Sequence, residues 1–83
     1  LSGTMQRYYF NIYNDADALD EMGSEHADLA AAKAEAIRGA RAMIAEHIVN
    51  ARPVHLHHRI EIVGEDGRVL AVIPFGELIT ISD

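Results

Sequence analysis

Five histidines in an 83-residue chain are the first residues that could do chemistry, and His55, His57 and His58 fall within four positions. Neutral imidazole binds zinc or nickel, and it changes charge between about pH 5 and 7. The alternation Val54, Leu56, His58, Ile60, Ile62 predicts a strand that begins soon after Pro53 and turns His55, His57 and Arg59 outward together. Residues two apart on a strand lie roughly 6–7 Å apart, so two imidazoles could share one cation. A zinc site needs a third protein ligand with its own support, and the sequence offers none beside this pair. His55 and His57 are therefore expected to hold zinc or nickel at best weakly, and no resident metal or cofactor is expected.

The second group is acidic: Asp15, Asp17, Asp20, Glu21 and Glu25. A calcium loop of the EF-hand kind wants oxygen ligands at positions 1, 3 and 5 and glycine at 6. Counting from Asp15, those last two places hold Leu19 and Asp20, so the stretch reads as a solvated acidic loop. Cysteine is absent, which removes thiolate nucleophiles, thiolate metal sites and disulfides. The serines are Ser2, Ser24 and Ser82, two of them at the chain ends. No glycine-rich phosphate loop, nucleotide fingerprint or zinc-protease motif occurs, so no catalytic residue is expected.

The elements that must position these groups are organised around one helix, Asp28 to about Asn50. At 100° per residue, Leu29, Ala36, Ile37, Ala40, Met43, Ile44, His47 and Ile48 fall on one side. Glu35, Arg38, Arg41 and Glu46 lie opposite, among Ala31, Ala34, Ala42 and Ala45, and Gly39 lies off the apolar stripe. Asp28 suits the N-cap, and Pro53 disfavours helix at Arg52, which stops the helix near Asn50 or Ala51. His47 is expected to be part-buried and hydrogen-bonded.

Gln6 to Tyr13 alternates as a strand, with Tyr8, Phe10 and Ile12 beneath the helix. Asn14-Asp15 and Met22-Gly23 are turn signals, Ala18 to Asp20 could form a short second strand, and Leu19 and Met22 are expected to reach the core. Ile60 to Ile73 reads as a hairpin about a type I′ turn at Asp66-Gly67. That register pairs Val63 with Leu70, Ile62 with Ala71 and Ile60 with Ile73, and places Val69 with the core. Pro74 ends the last strand, Phe75 and Leu78 cover one end of the core, and Ile79 to Ile81 could add an edge strand. The expected fold is α+β and two-layered: a small antiparallel sheet of three to four strands with one long helix on one face, in the order β-(β)-α-β-β.

Residues 1–4 read as a cloning scar ahead of Met5, and residues 5–83 as a single domain. So short a chain buries only about 60–65% of its unfolded surface, so its core is lean. No run of about 20 apolar residues exists to span a membrane, and a cytoplasmic location is expected. The net charge of -6 opposes binding to a phosphate backbone, although five protonated histidines would bring it to -1 (-6 + 5).

The chain resembles a family of short bacterial proteins that carry a domain of unknown function. The shared pattern runs through Arg7-Tyr8-Tyr9-Phe10, Asp20-Glu21-Met22-Gly23, Asp28-Leu29 before an Ala/Arg-rich helix, and Arg59-Ile60-Glu61-Ile62-Val63. It continues through Glu65-Asp66-Gly67-Arg68-Val69-Leu70 to Pro74-Phe75. The resemblance covers nearly the whole chain from Met5 and implies no activity, cofactor or catalytic residue. His55, His57 and His58 are not part of the pattern.

The expected function is that of a non-catalytic binding or regulatory module. A single helix covers one sheet face, which leaves Tyr9, Tyr13, Val63, Leu70 and Val72 on the other, a patch larger than a monomer usually leaves wet. A homodimer or a protein partner is expected there. A nucleic-acid module using Arg7, Arg52, Arg59 and tyrosine stacking is an alternative that the charge opposes. An acidic decoy that offers Asp15 to Glu25 to a basic partner is a further one.

Overall fold

A computed structural model describes residues 4–14 and 16–82. The scar reading of residues 1–3 and the part of Asp15 in the acidic loop lie outside the described residues. The elements are β1 (Gln6–Tyr13), β2 (Asp17–Ala18), β3 (Ser24–His26), α1 (Leu29–Val49), β4 (Arg59–Val63) and β5 (Val69–Pro74), followed by a 3-10 turn at Phe75–Leu78. The fold is the expected α+β sandwich of one helix on one antiparallel sheet, with five strands where three to four were expected. The additional strand, β3, is too short and too polar to announce itself by alternation.

The sheet runs β2-β1-β4-β5, and β3 also pairs with β1. Strand β1 meets β3 through Gln6, Arg7 and Tyr8, and β2 through Ile12 and Tyr13. Its opposite edge meets β4 from Tyr9 to Tyr13. Tyr8 is buried, with Phe10 and Ile12 packed beside it against the helix, as the alternation predicts. The expected second strand at Ala18 to Asp20 lies one residue earlier, and Leu19 and Met22 are exposed rather than core. Asp20 turns the chain immediately after β2, and the turn throws both apolar neighbours outward.

Helix α1 starts where the cap requires: the Asp28 carboxylate accepts the Ala31 amide at 2.8 Å. Its sheet-facing row is Ala32, Ala36, Ala40 and Ile44, all buried. Ile48 continues that row in sequence but is 65% exposed, contrary to expectation. Each four-residue step advances about 40° beyond a full turn, so by the last turn the row has rotated off the sheet. The helix ends in a Schellman motif, with Ala51 N–H donating to Ile48 and Arg52 N–H to His47. Ala51 takes the left-handed position, φ 57°, normally given to glycine.

Two strand readings are corrected. Strand β4 begins at Arg59, not soon after Pro53, because Leu56 and His57 form a turn in which the His58 amide donates to the His55 carbonyl at 3.1 Å. In the hairpin, Ile60↔Ile73 and Ile62↔Ala71 pair as expected, but Val63 faces Val69, with an irregularity between Ile62 and Val63. The loop is not type I′. Gly67 N–H donates to Gly64, Gly64 N–H donates to Arg68, and Gly67 alone takes a positive φ, at 85°. That is a type I turn closed by a left-handed glycine, and such a loop carries one extra residue as a bulge. Val69 therefore moves from the core side to the outer face. Ile79 packs on the core, Ile81 is exposed, and this segment forms no strand among the described residues.

Ile44→Ala should cost about 2–4 kcal/mol in urea unfolding, while Ala42→Ser on the exposed side should cost a few tenths. Similar losses at both would mean that α1 is buried on two sides. Ala51→Gly should raise stability by about 1 kcal/mol by removing the left-handed Cβ penalty, readable as a higher melting temperature.

Candidate functional site

Three features carry chemistry or surface: the histidine turn, the Asp20 loop and the outer edge of the sheet. In the turn, the ring centres of His55 and His58 lie 4.7 Å apart, those of His57 and His58 4.9 Å, and those of His55 and His57 5.7 Å. The sequence pairs His55 with His57 and turns His58 inward. The turn instead brings all three together, because closing residues i and i+3 defeats the strand alternation. His58 is half-buried with its ring edge-on to Phe75 at 6.2 Å. The turn is tied down by two amides of the 3-10 segment: Phe75 N–H donates to His58 at 2.7 Å and Gly76 N–H to Leu56 at 3.0 Å. A side chain at Gly76 would meet the Leu56 Cβ at 3.1 Å, which explains the glycine.

His47 is part-buried as expected, its Nδ1–H donating to the Met43 carbonyl at 2.9 Å. His47, His55 and His58 line a shallow pocket with Ile44, Pro53, Val54 and Phe75, too narrow to admit a water molecule. The lining of this pocket, among the described residues, holds no carboxylate. Among the described residues no three His, Asp or Glu side chains stand arranged to hold a metal ion. Sequence reasoning also missed the contact of Ser24 Oγ with His26 Nε2 at 2.9 Å. The signal was the S-x-H spacing on β3. His26 is stacked against Phe10 at 5.6 Å and Tyr8 at 6.0 Å, which makes the pair part of the sheet corner.

In the acidic loop, Asp20 is the working residue. Its carboxylate accepts amides from Gly23 at 2.9 Å, Phe10 at 3.1 Å and Met22 at 3.2 Å, and its own amide donates to Asn11 Oδ1 at 2.9 Å. Burial pushes the Asp20 carboxyl up, but the amides of Gly23, Phe10 and Met22 and the charge of Arg7 outweigh it, so the net shift is downward. Gly23 sits at φ 70°, and a Cβ there would lie 2.9 Å from the Arg7 side chain, the Tyr8 carbonyl and the Tyr9 ring. The Asp20-Glu21-Met22-Gly23 stretch is thus a structural clamp on β1.

Of the candidate patch, Tyr9, Tyr13 and Val63 are half-buried, and Leu70 and Val72 are exposed. It is less uniformly apolar than expected. Arg59 Nε donates to Glu61 Oε2 at 2.8 Å, and its guanidinium lies 4.4 Å over the Tyr13 ring. Arg7 likewise donates to the Met22 carbonyl at 2.8 Å and pairs with Glu25 at 3.2 Å. The apolar surface is concentrated at β5, where Val69 is 53%, Leu70 42% and Val72 49% exposed. A cleft of about 520 Å³ opens beside the N-terminal half of β1, where β4 has already turned away at Gly64. The Arg7 amide spans it to Glu65 at 3.2 Å.

A family model described as Domain of unknown function (DUF6894) matches residues 7–76. No curated protein and no solved structure matches the chain. The match takes in every strand from Arg7, the helix, the histidine turn and β5.

Because the folded Asp20 carboxyl is held below its ordinary value of 3.8, its stabilisation is present above that value and lost as pH falls through the lower folded value. Asp20→Ala should cost about 1–2 kcal/mol at pH 7, since three amides lose a charged acceptor. Asp20→Asn should cost less and should flatten the acid limb of stability below the ordinary carboxyl value of 3.8. Urea melts across that range check both.

Proposed function

The chain belongs to the Domain of unknown function (DUF6894) family, and we propose that it is a small, non-catalytic binding or regulatory module that works as a homodimer joined along β5. The observation that carries this reading is the contrast between the two edges of the sheet. The far edge of β1 is closed along its length by β3, the Asp20 carboxylate and β2. Strand β5 ends the other side of the sheet with the sequence Val-Leu-Ala-Val-Ile-Pro and no charged residue. Edge strands of soluble monomers usually carry a lysine, an inward charge or a cover to prevent pairing.

The direction of the free groups follows from the ladder. Phe75 N–H points to His58, so alternation turns the amides of Ile73 and Ala71 toward β4 and the Val72 N–H and C=O toward the open edge. A second copy related by a two-fold axis through Val72 would pair those groups reciprocally and shield Val69, Leu70 and Val72 of both chains. This keeps Leu70 and Val72 as interface residues and moves the contact toward the edge of the expected face. Val63, Tyr9 and Tyr13 would flank it.

The nucleic-acid alternative is disfavoured because Arg7 and Arg59, two of its three arginines, are spent on Glu25 and Glu61. The decoy alternative is disfavoured because Asp20 is saturated by backbone amides. No helix among the described residues is long and apolar enough to cross a membrane, and a cytoplasmic location belongs to the same proposal.

Light scattering should give twice the chain mass for the wild type. Val72→Lys, which sets two lysines face to face on the axis, should give the single-chain mass with an unchanged circular dichroism spectrum. Leu70→Lys should act in the same direction. A monomeric wild type at tens of micromolar would remove the dimer, and a dimer insensitive to both lysines would place the contact elsewhere.

A further inference from the structure

We propose that the cleft beside the N-terminal half of β1 takes a short extended peptide that carries a basic side chain next to an apolar one. The proposal deepens the binding-module reading and rests on it, but not on the dimer along β5. Its first support is the ladder. Strand β4 pairs with β1 only as far as Tyr9↔Val63, while β1 runs on to Gln6. Alternation turns the N–H and C=O of Arg7 to the same side as those of Tyr9, toward the missing stretch of β4. There the Arg7 amide donates to the Glu65 carboxylate at 3.2 Å, so a side chain stands where a neighbouring strand would offer a carbonyl. The opposite side of the same stretch is already paired with β3.

The cleft measures about 520 Å³, within the range of ligand sites and enough for a few residues of extended chain. Its lining is of two kinds. Met5, 52% exposed, and Leu70, 42% exposed, offer apolar surface. Glu65 and Asp66 offer carboxylates, and Asp66 meets Arg68 only at 3.7 Å. Among the described residues the lining holds one basic side chain, Arg7, and its guanidinium is engaged by the Met22 carbonyl at 2.8 Å and Glu25 at 3.2 Å. The charge facing the cleft is therefore negative, in a chain whose net charge is -6. An arriving strand accepts from the Arg7 amide and donates to the Arg7 carbonyl. That exchange releases the Glu65 carboxylate to pair with the lysine or arginine of the peptide. Main-chain bonds supply the affinity in this mode, and the two carboxylates select the charge.

The probe is the synthetic peptide acetyl-Val-Lys-Val-Lys-Val-amide, with acetyl-Val-Glu-Val-Glu-Val-amide as its charge-reversed control. Each is titrated at low salt into the isotope-labelled full chain and followed by the amide resonances. The lysine peptide should shift the amides of Arg7 and of residues 64–66 saturably at sub-millimolar concentration, and the glutamate peptide should bind at least tenfold more weakly. Glu65→Lys should weaken the lysine peptide at least tenfold with an unchanged circular dichroism spectrum, and Glu65→Gln, which keeps the shape, by less. No saturable shift below millimolar lysine peptide would overturn the proposal, as would equal affinity for the two peptides. Shifts centred on Val72 that spare Arg7 would overturn it too, and would assign strand pairing to β5 instead. Light scattering decides the dimer separately, so either reading can fail alone.

Discussion

Everything in this fold depends on strand β1 having no edge left open. A strand carries unpaired amides and carbonyls on both sides, and a chain of 83 residues has few other strands to spend on them. One side is met by β4 from Tyr9 to Tyr13, and beyond the end of β4 the Arg7 amide is met by the Glu65 side chain. The other side is met by two strands of two and three residues with a carboxylate between them. Asp20 supplies an acceptor to Phe10 where no backbone reaches. It also holds Met22 and Gly23, so the loop cannot lift from the strand without exposing several donors at once. One short acidic side chain thus replaces the middle of a strand, and charge-assisted bonds are the strong kind.

The core is made lean by the same economy. Three of the four buried helix residues are alanines spaced four apart, which contribute little apolar area but allow the helix to lie close on the sheet. The volume is supplied from the sheet side by Tyr8, Ile60, Ile62, Ile73 and Phe75. Shape matters more here than hydrophobicity: a larger side chain at Ala32, Ala36 or Ala40 would have to push the layers apart. Burial without large helix side chains leaves the domain near the lower limit of independent stability, and added contacts beyond the chain gain correspondingly in value.

How much of this was legible depended on whether the signal was local. The helix, its Asp28 cap and the burial of Ile44 could be read because 3.6-residue periodicity and capping are properties of neighbouring residues. The pairings Ile60↔Ile73 and Ile62↔Ala71 could be read for the same reason, as the hairpin closes on itself. Val69 could not, because Gly64 and Gly67 fit more than one loop type, and only the bulge decides which face the next residue takes. Strand β3 and the role of Asp20 were hidden because both exist only against β1, ten or more residues away in sequence. The histidine turn was misread as strand because Val54, Leu56 and His58 alternate by coincidence. Their true constraint, the amides of Phe75 and Gly76, lies some twenty residues downstream.

The two surface features are not independent, because they meet at Pro74-Phe75. Proline has no N–H, and it sits where the ladder turns its nitrogen toward the open edge, so β5 loses nothing by carrying it. The next residue, Phe75, turns its amide inward to His58 and its ring against the His58 imidazole. The end of the open strand and the anchor of the histidine turn are therefore one dipeptide. Pairing of β5 with a second strand would therefore also brace the backbone that holds the histidine turn, because the same two residues serve both.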